Sequence, residues 1–199
     1  YKAYDLLKKK YSFVGSVYIH LKKNIPVGAG LGGASSDAAS VLIGVNTLYR
    51  LGLNLLQLRE LGSKIGADVP FFLSSYGTAL GIEKGDVVVR LCEKTALWVL
   101  LIIFEKSLST KLVYRHFCYP RRFRIGLTKI TYEVIMLSLF LKRRDVSGLG
   151  KVMHNDLFSV SRRIMPELGR LLTSFKMNGI TACLMSGSIL CSGISFMFL

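Results

Sequence analysis

The chain has 199 residues, with 27 Lys and Arg against 12 Asp and Glu, so its formal charge is +15. Half of it is apolar (51%) and 20% is charged, which excludes a disordered chain. The 19 glycines carry no three-residue period and exclude a collagen-like one; at this length one or two domains with unstapled cores are expected.

The chain opens with Tyr1 rather than Met, in helix-like sequence. This predicts a fragment that lacks its natural start, on which a signal or transit segment cannot be read. Ala3 to Lys10 reads as the end of a helix, with Leu6 and Leu7 apolar and three lysines at the polar end. Val17, Ile19 and Leu21 alternate with Tyr18, His20 and Lys22, the period of a half-buried strand over Val14 to Lys22. Pro26 punctuates, and Gly28 to Gly33 is glycine-rich. Ser35, Ser36 and Asp37 are helix-opening types, hydroxyls for free amides and a carboxylate for the first turn. The helix they open carries Ala38, Val41 or Leu42, Val45, and Leu48 or Tyr49 at spacings of three and four, and Gly52 stops it. Asn54 can cap a second helix with Leu55, Leu58, Leu61 and Ile65 on one side and Gly66 at its end.

Ala67-Asp68-Val69-Pro70-Phe71-Phe72-Leu73 then sets an acid before an apolar run. Strands are expected over Val87 to Leu91 and over Leu97 to Phe104, the second buried on both faces with Trp98 in the core. Leu112 to Phe117, Ile130 to Leu141 and Pro166 to Phe175 read as helices, and Gly179 to Leu184 and Ile189 to Phe198 as a closing strand pair. Ile180 to Leu199 is free of charge over 20 residues, yet its glycines and serines suit two strands and a turn better than a membrane helix. The alternation of elements argues for an α/β or α+β fold with a boundary near 92–96.

Cys92, Cys118, Cys183 and Cys191 form no C-x-x-C pair and no zinc spacing, and read as reduced thiols. Basic clusters such as Lys8-Lys9-Lys10, Lys22-Lys23 and Lys142-Arg143-Arg144 are spread along the chain, the pattern of a solvated surface. His20, His116 and His154 stand alone, and His154-Asn155-Asp156 reads as a polar turn rather than a metal site.

The stretch Pro26 to Asp37 carries the chemistry. Glycines let the backbone approach a ligand, and a helix N-terminus points free N–H groups and a positive dipole end at one spot. Such a cradle suits phosphate, and hence a nucleotide. No Lys follows the glycines as a Walker A loop requires, and the match of Gly28, Gly30 and Gly33 to G-x-G-x-x-G lacks its strand and its distal acid.

The pattern P-x-x-x-G-L-G-x-x-S-S over Pro26 to Ser36, with Gly66 to Phe72 beyond it, resembles the signatures of the GHMP small-molecule kinases. The likeness is strong over residues 1–91 and returns at Ser109-Thr110-Lys111, Asn155-Asp156-Leu157 and Met185-Ser186-Gly187-Ser188. Within the family, the wording is similar to the branch that acts on a small diphosphocytidyl alcohol in the non-mevalonate isoprenoid route. The resemblance implies an α+β, two-domain GHMP-kinase-like fold with its N-terminal part missing. One half would be like ribosomal protein S5 domain 2 and hold the nucleotide; the other would be a ferredoxin-like α/β plait. Residues 1–92 would be the remnant of the ATP-binding domain and 93–199 the C-terminal domain.

It further implies that Pro26, Val27, Gly28, Ala29, Gly30, Leu31, Gly32, Gly33, Ala34, Ser35 and Ser36 bind ATP. Asp68 would take the proton from the substrate hydroxyl as it attacks the γ-phosphate, with Mg²⁺ neutralising charge. No metal ligand is assigned. The expected placement is cytoplasmic, or plastid if a transit segment precedes the chain, with no nucleic-acid or membrane partner. The rivals are a homoserine- or mevalonate-type kinase of the same family, a basic nucleic-acid-binding module, and an inactive truncated copy.

Overall fold

The computed structural model describes residues 1–13, 15–74, 76–82, 85, 87–91, 95–104, 108–117 and 127–187. It divides into two units: Tyr1–Val27 with Leu31–Arg90, and Gly28–Gly30 with the described residues from Leu91 onward.

In the first unit, helix α1 (Lys2–Tyr11) buries Ala3 and Leu7, four residues apart on one face, and leaves Lys8, Lys9 and Lys10 where they complement its negative end. Helix α2 (Gly33–Leu48) buries Ala39, Leu42 and Val45, each three residues on. Helix α3 (Leu55–Ile65) adds Leu58 and Leu61, and the short α4 (Val69–Leu73), with Pro70 in its first turn, adds Val69 and Leu73. These nine side chains form one cluster, ringed by Tyr4, Phe13, Tyr49 and Phe72. Burying a leucine this fully contributes about 1.5–3 kcal/mol. Phe13 stacks on Tyr49 with centroids 4.3 Å apart, and the Tyr49 hydroxyl donates to the Ser16 carbonyl, so the chain after α1 is tied to the end of α2. Asn46 grips Leu53 through both its amide donor and its carbonyl, fixing the turn into α3.

Asn54 opens α3 as the spacing predicts. Its side chain accepts from Gln57 N–H at 3.0 Å while Gln57 Oε1 accepts from Asn54 N–H at 2.9 Å, a complete capping box. Asn54→Ala is expected to lower stability by about 1 kcal/mol. The midpoint of urea unfolding measures it, and an unmoved midpoint would mean the box is not formed in solution.

Strands β1 (Ala79–Ile82) and β2 (Val87–Arg90) close the first unit as an antiparallel hairpin, Ala79 opposite Arg90 and Ile82 opposite Val87. Gly85, at φ +91, makes the turn. Sequence periodicity points to β2 but not to β1, whose Ala-Leu-Gly-Ile carries too short an alternation.

In the second unit the described elements are helices: α5 (Thr110–His116), α6 (Leu127–Arg143), α7 (Val146–Val152), α8 (Phe158–Ile164) and α9 (Pro166–Met177). Val113, Leu157, Val160, Leu168 and Met185 form its core. Asp145 caps α7 by accepting from Gly148 N–H at 2.8 Å. Helix α7 is closely covered. A β-carbon on Gly148 would stand 2.3 Å from the Phe140 ring, and one on Gly150 2.2 Å from the Thr181 carbonyl oxygen. Neither α7 nor α8 is visible in the sequence pattern, because each has only seven residues and glycines or polar residues interrupt its apolar positions.

Several expected strands do not form. Residues 15–24 form no strand among the described residues, and Tyr18, Ile19 and Leu21 are exposed. Leu97 to Phe104 is likewise unpaired among the described residues, and Trp98, expected in the core, is fully exposed with Leu100 beside it. Gly179 to Leu184 is also not a strand. An apolar run becomes a buried strand only when a neighbour takes up its backbone hydrogen bonds, and no described residue does so here. Ile189 to Phe198 lies outside the described residues. Among those described, no helix is long and apolar enough to cross a membrane.

Cys183 is unbridged, and burial pushes its thiol up; the other three cysteines lie outside the described residues. His154 Nε2 stands 3.7 Å from Asp156 Oδ1 in an exposed pair, as a polar turn would.

Candidate active site

Gly28, Gly30 and Gly32 take φ of 75°, 70° and 66°, while Ala29, Leu31 and Gly33 between them do not. Left-handed glycines at alternate positions are the pattern by which backbone N–H groups can turn toward one side as an anion-binding concavity, a nest. The loop runs directly into α2. That helix begins at Gly33, two residues before the predicted Ser35, and its capping position is Gly32, which supplies no side chain. Ser35 and Ser36 therefore lie inside the first turn, and Asp37 falls just beyond it. The reason is steric: Gly32 accepts a left-handed φ at no cost, so the chain enters the helix earlier than a serine cap would allow.

The absence of a cap has a chemical consequence. Ser36 N–H bonds back to the Gly32 carbonyl at 2.9 Å, but the amides of Gly33, Ala34 and Ser35 have no acceptor among the described residues, nor do the hydroxyls of Ser35 and Ser36 have a partner. Three N–H groups without an acceptor among the described residues, and the positive end of a sixteen-residue helix that carries Ser35 and Ser36 in its first turn, lie where the nest ends. Lys23 adds a cation at the rim. Its Nζ donates to Asp37 Oδ2, and a β-carbon on Gly33 would lie 3.7 Å from that nitrogen. Sequence reading leaves Lys23 in a solvated cluster; only the fold of residues 23–33 brings it back to the helix mouth. Gly33 itself is held tightly, since a β-carbon there would meet Ile25 Cγ2 at 3.1 Å. Pro26 and Val27, at the head of the loop, are exposed.

Asp68 occupies the capping position of α4 but makes no capping hydrogen bond. Its carboxylate has no hydrogen bond or ion pair among the described residues, and burial pushes its pKa above the ordinary 3.8. Val69 and Pro70 behind it are buried against α2 and α3, so the carboxylate sits on a rigid footing without a neutralising neighbour. An acid of this kind can accept a proton from an alcohol.

In the second unit the loop Met185–Gly187 contacts Gly30: Ser186 Oγ donates to the Gly30 carbonyl at 3.0 Å. Neither Ser186 nor Asn155, which holds that loop from below, is singled out by residue type; the sequence signal for both is only the weak likeness at their positions. Among the described residues no cluster of three His, Cys, Asp or Glu could hold a metal ion by itself.

Comparison with known proteins points the same way. Residues 1–76 match the family described as GHMP kinases N terminal domain. A 4-diphosphocytidyl-2-C-methyl-D-erythritol kinase of Shouchella clausii (strain KSM-K16) is 37% identical over 188 residues, which cover 94% of this chain and 61% of that protein. Over residues 1–76 the chain is similar to the GHMP kinases. The namesake enzyme of Geobacillus kaustophilus (strain HTA426) is 36% identical over 189 residues, 94% of this chain and 62% of its own. A crystal structure of 4-(cytidine 5'-diphospho)-2C-methyl-D-erythritol kinase superposes with a TM-score of 0.67 at 32% identity, covering 94% of this chain and 65% of that one. The chain thus spans about three fifths of the length of the curated GHMP kinases it matches. The matched domain includes both the glycine nest and Asp68, and the fold is α+β of the GHMP-kinase kind.

Gly32→Ala tests the mouth of α2. A β-carbon at φ +66 costs about 1–2 kcal/mol. The substitution is expected to weaken binding of an ATP analogue and to lower the melting temperature by several degrees. Equal affinity in isothermal titration would remove the nest from the binding site.

Proposed function

We propose that this chain carries the phosphate-binding loop and catalytic acid of an ATP-dependent kinase that phosphorylates the 2-hydroxyl of 4-diphosphocytidyl-2-C-methyl-D-erythritol. The single observation that carries the reading is the uncapped, glycine-nested start of α2, with three unpartnered amides aimed at one place. The kinship with enzymes named for this substrate, at 37% and 36% identity, supports the choice of alcohol.

In this reading Pro26 to Ser36 receive the triphosphate. The nest and the amides of Gly33, Ala34 and Ser35 take its charged oxygens, the Ser35 and Ser36 hydroxyls add donors, and Lys23 supplies positive charge at the rim. Asp68 accepts the proton of the attacking hydroxyl, and its raised pKa makes it a stronger base than an exposed aspartate. Mg²⁺, when bound, neutralises charge on the β- and γ-phosphates. Such an ion takes most of its ligands from phosphate and water, so a binding site made only of carboxylates is not required of the protein. Residues 1–92 would form the nucleotide domain and 93–199 the second domain.

The test is ADP release by the full-length protein with ATP and the diphosphocytidyl alcohol. Release that needs this alcohol, and is not supported by homoserine or mevalonate, bears the reading out. Binding of the chain to duplex or RNA with a steep salt dependence, and none to ATP, would overturn it in favour of a nucleic-acid module.

A further inference from the structure

Asn155 is buried (9% exposed) in the link between α7 and α8, and its carboxamide is fully engaged. Oδ1 accepts from Leu157 N–H at 2.9 Å, while Nδ2 donates to the carbonyls of Met185 and Gly187, each at 2.9 Å. The two donated bonds straddle Ser186, so the peptide groups on either side of that residue are clamped from below. The backbone at Gly187 bends through φ 74 to allow it. Ser186 itself stays exposed and sends its hydroxyl to the Gly30 carbonyl.

That last bond bears on the nest. A peptide unit is planar, with its C=O and the following N–H pointing in opposite directions. A donor that holds the Gly30 carbonyl on one side therefore aims the Leu31 N–H to the other. Without it, the Gly30–Leu31 unit, hinged on one side at Gly30 (φ +70), can flip and present a carbonyl to an anion.

We propose that Asn155 is a positioning residue: by clamping Met185 and Gly187 it directs Ser186 to the Gly30 carbonyl and keeps the phosphate loop in its anion-binding conformation. The inference rests on the nucleotide-kinase reading above, but it assigns a role to a side chain that touches neither substrate.

Two variants of the full-length protein separate the possibilities. Asn155→Asp keeps the acceptor for Leu157 N–H but sets an oxygen against two carbonyls; Ser186→Ala removes only the exposed hydroxyl. With a non-hydrolysable ATP analogue as probe, Ser186→Ala is expected to weaken binding about three- to tenfold, the contribution of one hydrogen bond. Its melting temperature should stay unchanged, and Ser186→Thr, which keeps the hydroxyl, should bind as the parent does. Asn155→Asp is expected to weaken binding about tenfold or more. The double variant should be no weaker than Asn155→Asp alone, because both changes cut one chain of contacts. Additive losses, or unchanged affinity in Ser186→Ala, overturn the positioning role while the parent still binds the analogue. A parent that binds no nucleotide overturns the kinase reading and the inference with it. If Asn155→Asp does not fold, Ser186→Ala and Ser186→Thr decide alone.

Discussion

Asp68→Asn is expected to lower turnover by about 10²–10⁴-fold, the usual contribution of a positioned general base, while leaving affinity for an ATP analogue unchanged. Asn has the shape of Asp but cannot accept the hydroxyl proton. The same substitution is expected to raise stability at neutral pH. The folded protein holds the Asp68 carboxylate partly buried, and this burial raises its pKa above the ordinary 3.8. Folding then favours the protonated form. The penalty is absent below the unfolded value, grows as pH rises through the window up to the folded value, and is complete above it. The Asp68→Asn protein lacks that penalty and should melt higher than the parent at pH 7, with the gap closing as the pH falls below the carboxylate range. An active site that gives up stability for function behaves in this way. In the parent, the acid limb of kcat/KM should lie above the range of an exposed aspartate. Retained turnover in the Asn variant, or an acid limb that persists in it, would remove Asp68 from the role of base.

Leu42→Ala is expected to have the largest effect on folding. Leu42 is fully buried in the middle of α2, among side chains from α1, α3 and α4. Truncation leaves a cavity lined by elements that cannot all collapse onto it, at a cost of about 2.7–5 kcal/mol. For a domain whose total stability is about 5–15 kcal/mol, that is enough to loosen the helix whose first turn is proposed to hold phosphate. Circular dichroism in urea measures the loss, and nucleotide affinity should fall with it. A midpoint within experimental scatter of the parent would mean that α2 is not packed as described.

Much of the first unit is legible in the chain itself. Leu58, Leu61 and Ile65 repeat at helical spacing behind an Asn that caps and a Gly that stops, and the structure has α3 with that cap and that end. The glycine run before Ser35 marks a loop open to close approach, and the structure has three of its glycines at positive φ. The start of α2 is displaced by two residues because serine and glycine compete for the cap, and only the φ of Gly32 settles which wins. The strands expected at 97–104 and 179–184 fail for a different reason. Their apolar content states a need for burial, but burial and pairing depend on a neighbour far along the chain.

Asn155 marks the limit of reading by type. Next to His154 and Asp156 it looks like one more polar turn residue, yet it is buried beneath a loop thirty positions away. Helical period, capping residues and the glycine-rich approach to α2 were determined locally, since each depends on dihedral preference and side-chain spacing within a few residues. The amides at the mouth of α2 and the carboxylate of Asp68, without partners among the described residues, and the clamp from Asn155 through Ser186 to Gly30 were decided by tertiary structure. Whether a polar group finds a partner depends on which distant backbone atoms the fold delivers to within 3 Å of it, and no local preference carries that information.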